Sequence, residues 1–239
     1  MVYTPLVLAR SSSSNFLRAA SNYLNMRRLA ACLILLALLL PLPGLAAPFP
    51  PPQNRQGTHS TFLEKLSNVA IERTHLSVRY DSAYVRIPYP NGDVPSGTGV
   101  CTDEVIRSYR ALGIDLQKEV HEDMLQNFSA YPNQRRWMLA HPDTNIDHRR
   151  VPNLRVFFSR KGESLPITSR AEDYLPGELV TWDLGGNVPH IGIVVDKKSP
   201  DSGRFLIEHN IGAGPKMEDV LFSWKITGHY RYFGPAKQE

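Results

Sequence analysis

The 239-residue chain has room for one ordinary domain once its first 47 residues are set aside as a leader. Those residues hold four arginines and no acidic residue, so their removal leaves 23 basic and 23 acidic residues and no net charge. A nucleic-acid surface needs a clustered surplus of Lys and Arg on the mature domain, so we exclude a nucleic-acid partner.

The leader has the three-part layout of a secretory signal peptide. Met26-Arg-Arg precedes an uncharged apolar run over residues 29–40, a Pro/Gly break follows, and the small residues Ala46 and Ala47 end it. We expect cleavage near these alanines and export to the periplasm. The alternative is an uncleaved membrane anchor, which would be the chain's only contact with a membrane.

Cysteine usage restricts the chemistry of the mature chain. Removal of the leader with Cys32 leaves Cys101 alone, so no intramolecular disulfide can form. Cys101 is then either a small buried hydrophobe or a reactive thiol.

Helix signals dominate the first half of the chain. A Pro-rich spacer over residues 48–57 precedes a domain over 58–235. Thr61 and Glu64 have the spacing of a capping box, which predicts a helix ending near Arg73. Further helices are predicted from Cys101 to a cap at Gly113 and over 119–130, with a loop rich in Pro and Gly over 80–99.

Strand signals dominate the second half, and residues 212–215 are predicted to form a turn. Helices followed by strands predict an α+β domain in which N-terminal helices pack on a C-terminal antiparallel sheet. The predicted strands are short apolar or alternating runs bounded by turn residues: Leu154–Phe158, Glu178–Trp182, Ile191–Asp196, Arg204–Glu208 and Ile226–Phe233.

Cys101 at a helix N-terminus is a candidate nucleophile. It shares a helix face with apolar residues, so its sulfur should point toward the sheet. The partial positive charge of the helix end favours a thiolate, whereas Asp103 and Glu104 oppose one. We therefore expect an imidazolium partner carried by the sheet.

His190 is the histidine best placed for that role. It follows a loop containing Gly185 and Gly186, and it opens a strand. The next strand ends in His209 and Asn210, either of which could orient the imidazole. We expect His209 first and Asn210 second.

A zinc hydrolase is the main rival chemistry. His141, Asp143, Asp147 and His148 offer nitrogen and oxygen ligands in one short loop, but no His-Glu-x-x-His motif is present. A salt-bridged structural turn explains the same residues. We expect no metal and no other cofactor.

Several segments resemble a known superfamily. Tyr89-Pro-Asn-Gly-Asp and Gly99-Val-Cys-Thr-Asp resemble the nucleophile segment of papain-like, NlpC-type cysteine peptidases. Pro176-Gly-Glu-Leu-Val-Thr-Trp and His190-Ile-Gly-Ile are similar to two of its strands, in the same order. Within that superfamily, the runs 145–154 and 208–214 resemble a bacterial family known as domain of unknown function 1287, over most of residues 60–235.

This resemblance implies an NlpC-type fold and a Cys/His/polar triad that cleaves amide bonds through a thioester. From characterised relatives it implies peptidoglycan peptides as substrate. We expect the protein to be a monomer. Thr102 stands where the superfamily usually has Ser, and Val100 where it usually has Asp. The residues expected to bind substrate are Tyr89, Thr102, Asp103 and Trp182. Packing within the loop accounts for the presence of Tyr89 equally well, and a tryptophan at a strand end such as Trp182 is usually part of the core.

Two other functions are compatible with the same fold. An acyltransferase would keep the triad and move an acyl group between lipids or small amines. A non-catalytic cell-wall binding module would keep the fold and lose turnover. Fragments released from peptidoglycan would indicate a hydrolase, and altered lipid would indicate a transferase. If neither product formed, the protein would be a binding module.

Overall fold

The computed structural model describes residues 55–235 of the chain. The predicted signal peptide over 1–47 and the spacer up to residue 54 lie outside the described residues. Within 55–235, no helix combines the length and the apolar character needed to cross a bilayer.

Five α-helices precede most of the strands. Short 3-10 helices occur at Phe128–Ala130, Asp147–Arg149 and Ala171–Asp173. The α-helices of the described residues are α1 Arg55–Arg73, α2 Cys101–Ala111, α3 Leu116–Asn127, α4 Asn133–Trp137 and α5 Val151–Lys161.

Eight strands form two sheets within the described residues. The strands are β1 Arg79–Tyr80, β2 Thr98–Gly99, β3 Glu163–Ser164, β4 Leu179–Asp183, β5 Pro189–Lys198, β6 Phe205–Asn210, β7 Pro215–Glu218 and β8 Lys225–Arg231. β1 and β2 pair in parallel, and the other six form an antiparallel sheet in the order β3-β8-β4-β5-β6-β7. The α+β class, with helices before an antiparallel sheet, is confirmed.

The predicted strand over Leu154–Phe158 is wrong, because this run lies in α5. Val151, Leu154 and Phe158 recur at helical spacing and are buried together, while Pro152 occupies the first turn, where proline is tolerated. A five-residue apolar run fits a strand and a buried helix segment equally well.

Several other boundaries also differ from the prediction. α1 begins at Arg55, before the predicted capping box and within the predicted spacer. The predicted turn over 212–215 ends one residue early, since Pro215 already pairs with Asn210 as the first residue of β7. α2, by contrast, begins at Cys101 as predicted, and Gly113 follows it at φ +82°.

Side chains on the two faces of the sheet belong to two apolar clusters. Helix residues such as Val105 and Tyr109 pack on Ile191 and Ile193 of β5 in the larger cluster. Val194 belongs to the second cluster, on the other face. Because side chains alternate along a strand, His190 faces the same side as Val194, although its backbone adjoins the helix-facing Ile191.

Candidate active site

Cys101 lies at the first position of α2, against the beginning of β5. The backbone N–H of Val100 donates a 2.7 Å hydrogen bond to Oδ2 of Asp103, which fixes the first turn of the helix. The sulfur accepts from the backbone N–H of Ile191, the residue after His190, and from N–H groups of its own helix turn. The residue is 5% exposed.

Burial determines the protonation state of this thiol. Loss of solvent raises the pKa of Cys101 to about 12, and the charge of Asp103 raises it further, against the smaller lowering effect of the backbone N–H groups. Helix polarity alone does not produce a thiolate in the unliganded protein. Cys101 is a neutral thiol at neutral pH.

His190 is hydrogen bonded to His209, the residue expected to orient it. His190 Nε2 lies 2.9 Å from His209 Nδ1, and His209 Nε2 lies 3.0 Å from Oε2 of Glu218 on β7, although that contact is not aligned as a hydrogen bond. Both histidines are buried, and Glu218 is partly exposed. Glu218 was not expected in the site, because its strand had not been predicted.

The carboxylate favours one arrangement of the ring protons. A carboxylate accepts, so its contact favours the tautomer of His209 with the proton on Nε2 and Nδ1 as the acceptor. In that arrangement His190 donates from Nε2, and its Nδ1 carries no proton.

Burial also keeps His190 neutral. Loss of solvent, followed by the charge of His209, lowers the pKa of His190 to about 3. The ring centroids of Trp182 and Trp224 lie 6.0 Å and 6.1 Å from the centroid of the imidazole, so both indoles pack around it. The site of the unliganded protein thus contains a thiol and a neutral imidazole.

No hydrogen bond joins the thiol of Cys101 to the imidazole of His190. Cys101 Sγ meets the backbone of Ile191, while the ring of His190 is hydrogen bonded to His209. The pairing of sulfur and imidazole therefore stays a prediction.

Asn210, the second choice as orienting residue, has another role. Its Oδ1 accepts a 3.1 Å hydrogen bond from the backbone N–H of Gly212, which closes the turn after β6. Its Nδ2 is buried and has no hydrogen-bond partner.

Arg149 forms hydrogen bonds with both of the polar residues that follow Cys101. Its guanidinium forms two hydrogen bonds to Asp103, at 2.8 and 3.0 Å, and its carbonyl accepts from the hydroxyl of Thr102 at 3.0 Å. Thr102 and Asp103 are both buried. The prediction that they bind substrate is corrected, since they hold the N-terminal end of α2 in place.

The aromatic residue beside the sulfur is Tyr80, not Tyr89. Tyr80 pairs with Gly99 in the parallel β1–β2 bridge, and its pKa is raised by burial and then by the charge of Cys101. Tyr89 stacks edge-on against His121 of α3, with ring centroids 5.0 Å apart. Tyr80 is 39% exposed.

Trp182 has no polar atom free to bind substrate. It is 1% exposed, and its indole N–H donates to the carbonyl of Leu221 at 2.9 Å. The prediction of substrate binding is corrected to a core role in which Trp182 covers His190.

The proposed zinc loop forms a hydrogen-bonded turn. Asp147 accepts from Asn133 at 2.7 Å and from Arg150 at 3.0 Å, and His148 is buried with its pKa lowered to about 3, mainly by loss of solvent. Within residues 55–235, no three His, Cys, Asp or Glu side chains come together as metal ligands.

Comparisons with known proteins identify relatives of the chain. The family model described as "Domain of unknown function (DUF1287)" matches residues 67–232. The Uncharacterized protein YijF of Escherichia coli (strain K12) is 47% identical over 205 residues, which are 85% of this chain and 98% of the relative.

Among solved structures, the chain is similar to NlpC2 and NlpC1 of Trichomonas vaginalis, each at 16% identity, with TM-scores of 0.39 and 0.38. The matches cover 72% and 71% of this chain and 46% and 44% of the other two, so the chain spans less than half of their length. The sequence match is the stronger of the two kinds of comparison, and it shows that the chain belongs to the DUF1287 family.

Proposed function

We propose that the chain is an exported cysteine hydrolase that cleaves amide bonds in peptidoglycan peptides. The observation that carries the proposal is the hydrogen bond between His190 Nε2 and His209 Nδ1, on the strand whose next residue, Ile191, meets the sulfur of Cys101. Nucleophilic catalysis requires an oriented imidazole that reaches the thiol, and the proposal assigns that role to His190.

The proposed reaction starts from the neutral pair. Cys101 Sγ attacks the carbonyl carbon of the scissile amide while its proton passes to His190 Nδ1, and His190 then returns that proton to the leaving amine. Water, deprotonated by His190, attacks the thioester and releases the acid. Backbone N–H groups at the start of α2 are placed to stabilise the oxyanion.

His209 has a positioning role in this mechanism. It accepts from His190 Nε2 and so keeps Nδ1 free, and its contact with Glu218 favours the required tautomer. When His190 gains the thiol's proton, the same hydrogen bond stabilises the imidazolium.

The substrate class follows from the expected compartment and from the superfamily resemblance. Peptidoglycan peptides are the abundant amide substrate of a periplasmic enzyme. The sulfur is nearly buried, so a thin, extended peptide suits the site better than a folded protein.

The test is incubation of the purified chain with peptidoglycan sacculi, followed by mass spectrometry of the released fragments. We expect soluble muropeptides from the wild type and none from Cys101→Ala or His190→Ala. His141→Ala is the matched control, because this exposed histidine belongs to the rival zinc loop and should not affect release.

Equal release by the wild type and Cys101→Ala would exclude the proposed nucleophile. Loss of release in His141→Ala would instead indicate the zinc chemistry. An acyl group transferred to lipid, without muropeptides, would make the chain a transferase.

A further inference from the structure

A cavity of about 500 Å³ opens beside α5. Its walls come from the 3-10 helix before α4, from α4 and α5, and from Tyr230 of β8. The volume lies within the range of small-ligand sites. None of the residues assigned to the candidate active site lines it.

Four arginines line this cavity, and no acidic residue does. Arg160 is neutralised by Asp123, with hydrogen bonds of 2.7 and 3.2 Å. Within the described residues, no carboxylate lies within 4.0 Å of the guanidinium nitrogens of Arg135, Arg136 or Arg155. The cavity therefore has three positive charges without a counter-ion from the described residues.

Arg155 is the most restrained of these arginines. Its Nη2 donates to the carbonyl of Thr227 on β8 at 2.7 Å, which fixes the guanidinium against the sheet. Its Nε is shielded from solvent and has no hydrogen-bond partner. A buried donor without an acceptor is unfavourable, and an anion in the cavity could supply the acceptor.

Helix periodicity explains how α5 can form this wall. Pro152, Arg155, Val156 and Ser159 recur at intervals of three and four residues and line the cavity. The opposite face, which includes Leu154 and Phe158, is buried in the core. The arginine face is thus held by the packing of the rest of the helix.

We propose that this cavity binds the phosphate group of a small ligand. Guanidinium groups bind phosphate through paired, charge-assisted hydrogen bonds, and a phosphate monoester offers more acceptor oxygens and more negative charge than one carboxylate. The phosphate belongs either to a soluble ester or to a lipid head group. This inference is independent of the proposed hydrolase function.

The test is calorimetric titration of the full chain with inorganic phosphate and with glycerol 3-phosphate, with acetate as the carboxylate comparison. We expect one phosphate bound per chain, with acetate bound at least about tenfold more weakly. Arg155→Gln and Arg135→Gln should each reduce the affinity for phosphate by about tenfold. Arg135 is exposed, so its substitution does not depend on a change in folding.

Arg170→Gln is the matched control, because it also removes one exposed arginine but lies outside the cavity and pairs with Glu172. Co-sedimentation with phosphatidylcholine vesicles, with and without phosphatidic acid, tests the lipid source. Binding that requires Arg135 and Arg155 in either assay supports the proposal. Absence of phosphate and vesicle binding, or an equal loss in Arg170→Gln, overturns it.

Discussion

Two neutral groups define the candidate site at the scale of single residues. Burial raises the pKa of Cys101 to about 12 and lowers the pKa of His190 to about 3, so neither group is charged at neutral pH. Helix polarity and a neighbouring imidazole had suggested an ion pair. Loss of solvent outweighs both, so the proposed reaction requires a proton to move during the attack itself.

The pH dependence of alkylation tests this protonation state. The reactive thiolate is a small fraction of Cys101 far below its pKa, and that fraction grows about tenfold per pH unit. The rate of iodoacetamide labelling of Cys101, followed by mass spectrometry, should rise steadily from pH 6 to 9, where a thiol of ordinary pKa would begin to level off. Labelling that is already fast and constant at pH 6 would indicate a preformed thiolate–imidazolium pair.

Substitution of His209 tests the hydrogen-bonded histidines. His209→Ala should lower kcat on sacculi by about a hundredfold or more, with little change in KM. The ring of His190 stays in position, but it loses the hydrogen bond that favours the required tautomer. His209→Asn should recover part of that loss, since its amide oxygen can occupy the position of Nδ1 and accept from His190. Equal activity of the two variants would contradict an orienting role.

At the scale of elements, α2 is fixed by a residue far away in the sequence. Arg149 comes from the 3-10 helix before α5, and it hydrogen bonds Asp103, the carbonyls of Asp81 and Ala83, and the hydroxyl of Thr102 through its own carbonyl. The loop before Cys101 and the start of α2 are thereby held together. The position of Cys101 depends on this buried ion pair.

Arg149→Met should destabilise the protein by about 3–5 kcal/mol, because it leaves Asp103 buried and unpaired. Urea unfolding measures the change, and Asp103→Asn in the same chain should recover part of it. The control is Arg79→Met, which breaks the exposed pair with Asp81 and should cost far less, because solvent screens that pair. Similar losses of stability in Arg149→Met and Arg79→Met would contradict the importance of the buried pair between Arg149 and Asp103.

Sequence patterns predicted most elements but few contacts between them. The start of α2 and strands β4, β5, β6 and β8 follow from local apolar patterns and turn residues, which are properties of neighbouring residues. The contact of Arg149 with Asp103 and the placement of Tyr80 near Cys101 join distant segments, and no local pattern encodes them. His209 was identifiable because its strand ends beside that of His190.

At the scale of the whole molecule, a buried acidic pair lies between the helices and the sheet. Glu104 of α2 is hydrogen bonded to Arg73 of α1 at 2.7 Å, while both carboxyl oxygens of Glu208 on β6 have no partner. Burial, and then the charge of Glu104, raises the pKa of Glu208 well above its ordinary value. Glu208 is therefore protonated in the folded protein over a pH range in which the unfolded chain has lost this proton.

This difference makes stability depend on pH. A raised folded-state pKa gives stability that is complete below the ordinary glutamate value and declines as the pH rises from there toward the folded value. Glu208→Gln should therefore be more stable than the wild type at pH 8, by about 1–3 kcal/mol, and the difference should shrink toward pH 4.

Urea unfolding at pH 4, 6 and 8 checks this prediction. Glu122→Gln is the control, since this exposed glutamate pairs with Lys118 and its substitution should produce no comparable trend. A constant difference between Glu208→Gln and the wild type across the three pH values would contradict a protonated Glu208.

Gly192 sets the spacing of the two strands that hold the histidines. A methyl group at this position would lie 2.6 Å from Cγ2 of Ile207, 2.7 Å from the carbonyl oxygen of Glu208 and 3.2 Å from Cβ of His209. Even an alanine would push β6 away from β5 and lengthen the contact between the two imidazoles. A residue with no functional group thus fixes how closely the two histidines approach each other, and a survey confined to reactive side chains would overlook it.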